Sequence, residues 1–158
     1  MSLPARKGLS PEVRRPSLER PGPHQQLSQI APRELQEALL ALGRSLPGVT
    51  VGRSLVSLPG ARAFFLDPAL ARGPADAFQA STEFAHIHAP FDGSLHATLP
   101  AAVARQVMAQ GWGEPHPVQK GLLIYGPRDE GELAVAWRLL QVSHAFARGT
   151  WVPDAELM

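Results

Sequence analysis

The segment from Ser81 to Leu99, STEFAHIHAPFDGSLHATL, constrains the fold most, because side-chain character alternates on both sides of a turn-forming Pro90-Phe91-Asp92-Gly93. Successive side chains of a strand point to opposite faces. Ala85, Ile87 and Ala89 should therefore share one face, while Phe84, His86 and His88 share the other. On the return strand Leu95, Ala97 and Leu99 oppose Ser94, His96 and Thr98. Pairing His88 with Ser94 across the intervening loop sets His96 opposite His86. A slip by one residue would place His96 among Leu95, Ala97 and Leu99, so the predicted hairpin has one apolar face and one histidine face.

The flanking chain supplies the layers that such a hairpin needs. Pro32 opens a helix with an apolar stripe of Leu35, Ala38, Leu39, Leu42 and Leu46, which Pro47-Gly48 ends. Val49 to Val56 and Arg62 to Leu66, joined through Leu58-Pro59-Gly60-Ala61, read as a second hairpin, and residues 67–78 as a surface loop. Pro100 opens a helix with a stripe of Val103, Ala104, Val107 and Met108, capped by Gly111. Gly121 to Tyr125 is a further strand. Asp129 and Glu132 have the spacing of an N-cap and its partner, opening a helix striped by Leu133, Ala136, Trp137, Leu140 and His144. Short links favour antiparallel pairing. The expected class is α+β: a single layer of mainly antiparallel sheet, about five strands, with three helices packed on one face. Leu39, Leu42, Val107, Ile124, Trp137 and Leu140 are the expected core.

Composition sets the outer limits. A chain of 158 residues with 44% apolar side chains sustains one core, and the absence of cysteine excludes disulfides, thiolate metal sites and a catalytic thiol. No run approaches the roughly 20 apolar residues of a membrane span. The expectation is a soluble, cytoplasmic protein with no membrane association. Residues 1–30 carry Arg6, Lys7, Arg14, Arg15 and Arg20 among five prolines, with no periodic apolar pattern. They read as a disordered basic Pro-rich tail, followed by one domain over 31–150 and a C-terminal tail over 151–158. A nucleic-acid arm is the weaker reading of that tail, since its cations form no dense patch and the net charge is only +1.

The histidine face carries the chemistry. Imidazole is a common metal ligand and titrates near neutrality. His86, His88 and His96, with Asp92 from the turn, make a candidate site of three nitrogens and one carboxylate, suited to a divalent transition metal such as Zn, Fe, Mn or Ni. Without a metal, the same three histidines, with His116 and Glu114, are the candidate acid–base groups. Prolines on both sides of His116, in Gly111-Trp112-Gly113-Glu114-Pro115-His116-Pro117, restrict its backbone; the plainer reading is a helix cap and rigid loop with Trp112 plugging the core edge. Arg128 beside a helix N-terminus is placed to hold an anion, with Tyr125, Trp112 and Ser94 as further ligand-binding candidates. Against this, Asp129 already occupies the cap, so Arg128 can instead pair with Glu130 or Glu132. Half of a cupin-type metal pattern is present, but three helices do not suit a jelly roll. Ser94, His96 and Asp92 have the residue types of a triad, yet lack the nucleophile elbow.

Taken in order, EFAHIHAPFDGSLHATLP, GWGEPHP and IYGPRDEGEL resemble the luciferase-like domain family of bacterial and fungal proteins, over about Leu46 to Gly149. The resemblance puts His88, Asp92, Gly93, Ser94, His96, Gly111, Trp112, His116, Pro127 and Arg128 on motif positions. The family name implies oxidative light emission, while nothing in the chain resembles a flavin, ATP or haem site. The functional expectation is a small-molecule site on the histidine face, in its fullest form a metal-assisted enzyme centre. The alternative is a non-catalytic interaction or dimerisation module, as in a homodimer. The two part on shape: a concave, converging polar cluster favours the first.

Overall fold

The computed structural model describes residues 2–153; the end of the expected C-terminal tail, 154–158, lies outside them. In chain order the elements are β1 (Val13–Arg14), β2 (Gln25–Gln26), α1 (Arg33–Arg44), β3 (Val49–Arg53), β4 (Arg62–Leu66), a 3-10 turn (Ala75–Ala77), β5 (Glu83–Ile87), β6 (Leu95–Ala97), α2 (Ala101–Ala109), β7 (Gly113–Pro115), β8 (Leu122–Ile124) and α3 (Glu130–Arg148). The class is α+β. The main sheet has six strands rather than about five, in the order β3-β4-β5-β6-β8-β7, and every pair is antiparallel. The sixth is β7, in the segment read as a rigid loop. Its glycine and proline content hides it from a propensity reading, but prolines are tolerated in an edge strand, and β7 lies at the sheet edge.

The hairpin register is the expected one: His86 pairs with His96, and the His88 N–H donates to the Ser94 carbonyl at 2.9 Å. Ala85, Ile87, Leu95, Ala97, Phe64, Leu66, Leu122 and Ile124 join Leu39, Val107, Leu139 and Leu140 of the helices in one core. α3 lies across β5 and β6 and against α1. Asp129 caps α3, its carboxylate accepting from the Glu132 N–H at 2.8 Å, and Gly149 closes it in the left-handed conformation.

Each of the three helices has one residue that differs from expectation. Leu42 and Trp137 are half-buried at the edge of the core, and Met108 is exposed. For α1 the reason is Gly43. A Cβ there would run into the Phe64 ring, so the helix comes closest to the sheet along Gln36, Leu39, Leu40 and Gly43, and Leu42 turns aside. Neither a glycine nor a glutamine registers in an apolar stripe.

Residues 2–30 also differ from the expected unanchored tail. They cross the domain and are tied to it at separated points. Trp112 Nε1–H donates to the Pro4 carbonyl at 2.6 Å, and the Arg6 N–H donates to the Gln110 carbonyl at 2.9 Å. The Gly126 N–H donates to Gln26 Oε1 at 2.9 Å. Leu3, His24 and Gln26 are buried. These anchors are isolated side chains and carbonyls with partners far along the chain, which leave no local period to read.

Candidate functional site

A bulge in β5 builds the site. Phe64 pairs with Ala85 and Phe65 with Glu83, leaving Phe84 as an extra residue without a partner in β4. Such a bulge re-aims side chains beyond it. Phe84, expected on the histidine face, turns into the core and stacks on Phe64 with ring centroids 6.2 Å apart. Glu83 takes the place facing His86. Strict alternation conceals this residue, and the sequence carries no signal for the bulge.

Glu83 is fully buried and accepts three hydrogen bonds: from Ser54 Oγ–H at 2.8 Å, the Leu55 N–H at 2.8 Å and His86 Nδ1–H at 2.9 Å. On the far side of the pair, Ser94 Oγ–H donates to Asp92 Oδ1 at 2.5 Å, so the hydroxyl oxygen accepts from His88 Nδ1–H, 2.8 Å away. Asp92 Oδ2 is 3.3 Å from the same nitrogen. Both Nδ1 atoms thus hold their protons, and the two Nε2 atoms, each with a lone pair, face one another at 3.2 Å. His96 stacks on His86 with centroids 4.8 Å apart, and its Nε2–H donates to the Lys120 carbonyl at 2.6 Å. One ring nitrogen from each of the three lies within 4.8 Å of the others.

Burial opposes charge on two of the three rings, His86 and His96. Burial pushes the pKa of His86 below the usual imidazole range, against the opposing pull of Glu83. Burial and the neighbouring His86 push His96 down further. Asp92 is raised by burial, but its bonds with His88 and Ser94 outweigh that and leave it below the usual carboxylate range.

The cluster forms part of the lining of a cavity of about 470 Å³. The N-terminal segment from Pro16 to Gln25 makes one wall, and Leu18, Leu58, Phe91 and Val118 line it with exposed apolar side chains. His116 lies beside the cluster, 5.4 Å from the His96 ring, and burial together with nearby imidazoles lowers its pKa to about 4. His24, which no sequence pattern singles out, packs edge-on against His116 at 5.0 Å. Its Nε2–H donates to Glu114 at 2.9 Å. Glu114 also takes Arg15 at 2.6 and 2.8 Å and the Tyr125 hydroxyl at 3.2 Å.

Of the sequence candidates, then, His86, His88, His96, Asp92 and His116 line the cavity. Asp92 stands behind His88, on the side of its Nδ1 rather than with the open nitrogens. Glu114 and Tyr125 stand behind His24, and Ser94 behind His88. Trp112 is buried against Pro4, and Arg128 is taken up by Glu132, Gln29 and the Lys7 carbonyl.

The fold and site define a small α+β domain with a buried three-histidine centre under a cavity. Residues 81–143, which carry that centre, match the model of a family described as Luciferase domain, so the resemblance read from the motifs holds over this segment. Over 70 residues the chain is 37% identical to a luciferase of Armillaria ostoyae, with 39% of this chain and 26% of that protein covered. Over the same length and shares it is 36% identical to a luciferase of Armillaria gallica and 31% identical to one of Neonothopanus nambi. The chain thus spans about a quarter of the length of the curated relatives it matches. No solved structure matches it.

Proposed function

We propose that the domain is a small-molecule enzyme whose centre is a divalent transition-metal ion held by His86, His88 and His96. The observation that carries this reading is the approach of two Nε2 lone pairs to 3.2 Å, with both Nδ1 protons committed behind them. Two such nitrogens repel unless something electrophilic lies between them. Nitrogens on one tetrahedral zinc, with Zn–N near 2.0–2.1 Å, stand about 3.3 Å apart. Glu83, and Ser94 with Asp92, are then the outer partners that fix ring tautomer and direction. Three protein nitrogens leave coordination positions for substrate oxygen, which such an ion polarises. The relatives are luciferases by name; the reaction of this chain is proposed only as metal-assisted chemistry on a small organic molecule. The concave cavity, rather than a flat apolar face, supports this over an interaction module.

Titration of metal-stripped protein with Co(II), followed by visible absorption, tests the reading. The expected result is one equivalent bound, with His86→Ala, His88→Ala and His96→Ala each weakening binding at least about tenfold while circular dichroism is unchanged. Absence of uptake, or uptake indifferent to all three substitutions, overturns it.

A further inference from the structure

We infer that His116 is a specificity-determining donor in the cavity, its Nε2–H donating to an acceptor oxygen of the bound molecule; this rests on the reading of the cavity as a small-molecule site. The loop's own hydrogen bonds fix which ring nitrogen is free. The Val118 and Gln119 N–H groups donate to His116 Nδ1 at 3.0 and 2.9 Å. Nδ1 therefore keeps its lone pair, and in the neutral ring the proton sits on Nε2. Among the described residues nothing accepts from that N–H, and Nε2, unlike His24 Nδ1, is not shut off from solvent. Water satisfies such a donor until a ligand oxygen takes its place.

The donor is held in place before anything binds. Pro115 and Pro117 restrict the backbone on either side, and the His116 N–H donates to the Gly121 carbonyl at 3.1 Å. Fixing a donor in advance lowers the ordering cost of binding. The ring lines the cavity 5.4 Å from that of His96, so one small molecule can span His116 and the three-histidine centre. Charge narrows the class of acceptor. Burial and the neighbouring imidazoles keep His116 uncharged near pH 7, and among the described residues the lining holds no lysine or arginine. Apart from the proposed ion, the wall has no positive charge to offset a carboxylate. The acceptor is therefore a neutral oxygen, such as a carbonyl.

Acetophenone, α-methylstyrene and benzoate are suitable probes, because the first two share a shape and differ only in the acceptor oxygen, while the third adds charge. Ligand-observed NMR on the metal-stripped full chain should show acetophenone binding about fivefold tighter than α-methylstyrene, as expected for one further net hydrogen bond, and benzoate binding more weakly than acetophenone. Asparagine places its Oδ1 where the imidazole has Nδ1, so His116→Asn keeps the acceptor for Val118 and Gln119 but has no donor at the Nε2 position. It should abolish the preference with circular dichroism unchanged, whereas a merely structural His116 would leave the preference intact. Long-range proton–nitrogen correlation spectra of the unsubstituted protein should find the His116 proton on Nε2. A proton on Nδ1, equal affinity for acetophenone and α-methylstyrene, tighter binding of benzoate, or a preference that survives His116→Asn overturns this donor alone. No binding by any probe overturns it together with the small-molecule reading of the cavity. If the preference holds in protein that takes up no Co(II), the donor stands and the metal centre falls.

Discussion

At Glu83 a single carboxylate collects a hydroxyl, a backbone N–H and an imidazole, all away from water. Glu83→Gln keeps the volume but replaces one acceptor oxygen with a donor, which cannot satisfy all three. His86 then loses its orienting partner. Co(II) affinity should fall about 10–100-fold, the usual loss for an outer partner of a metal ligand, and a titration that leaves it unchanged would make Glu83 merely a packed carboxylate. In the core, Leu140 is completely buried between α3 and the sheet. Leu140→Ala should cost about 2–5 kcal/mol in denaturant unfolding, through lost contacts and the cavity left behind. A loss below about 0.5 kcal/mol, as at surface sites, would mean that α3 faces another way.

Where α1 packs on the sheet, Gly43 makes its close contact with Phe64 possible. Gly43→Ala adds helix propensity worth about 1 kcal/mol, but its methyl group enters the Phe64 ring and approaches Leu140. Overpacking of this kind costs about 1–3 kcal/mol, so the melting temperature should fall. Gly131, in the exposed first turn of α3, meets only the Asp129 carboxylate at 3.4 Å, and Gly131→Ala should raise it. A stabilising Gly43→Ala would show that α1 lifts off the sheet freely. The same comparison explains what the sequence could convey. Alternation and turn chemistry placed β5, β6 and the histidine register, because period two and a five-residue turn leave one consistent pairing. The bulge at Phe84 and edge strand β7 were hidden, since each depends on partners distant in sequence. With them went Glu83, and the proper setting of Glu114.

For the whole molecule, histidine burial couples the site to stability. His24, His86, His96, His116 and His144 all have pKa values lowered from 6.5, with burial the leading cause at each. Below pH 6.5 the unfolded chain therefore binds protons that the folded chain refuses, and stability must fall with falling pH. For His116 the loss runs from about 6.5 down to about 4. Carboxylates held low by partners, such as Glu37 between Arg62 and Arg33 with a pKa of about 2, add their loss only below about 4.5. The sign is the same, but the window is lower. Urea midpoints of metal-free protein should consequently begin to drop as the pH falls through about 6.5, above the window in which Glu37 contributes. His144 lies outside the cavity lining, its Nε2–H donating to the Pro47 carbonyl at 2.9 Å, so His144→Gln removes one titrating group without touching the site. It should make the decline between pH 6.5 and 5 shallower, whereas a midpoint level down to pH 5 in the unsubstituted protein would mean that these imidazoles protonate without leaving the fold.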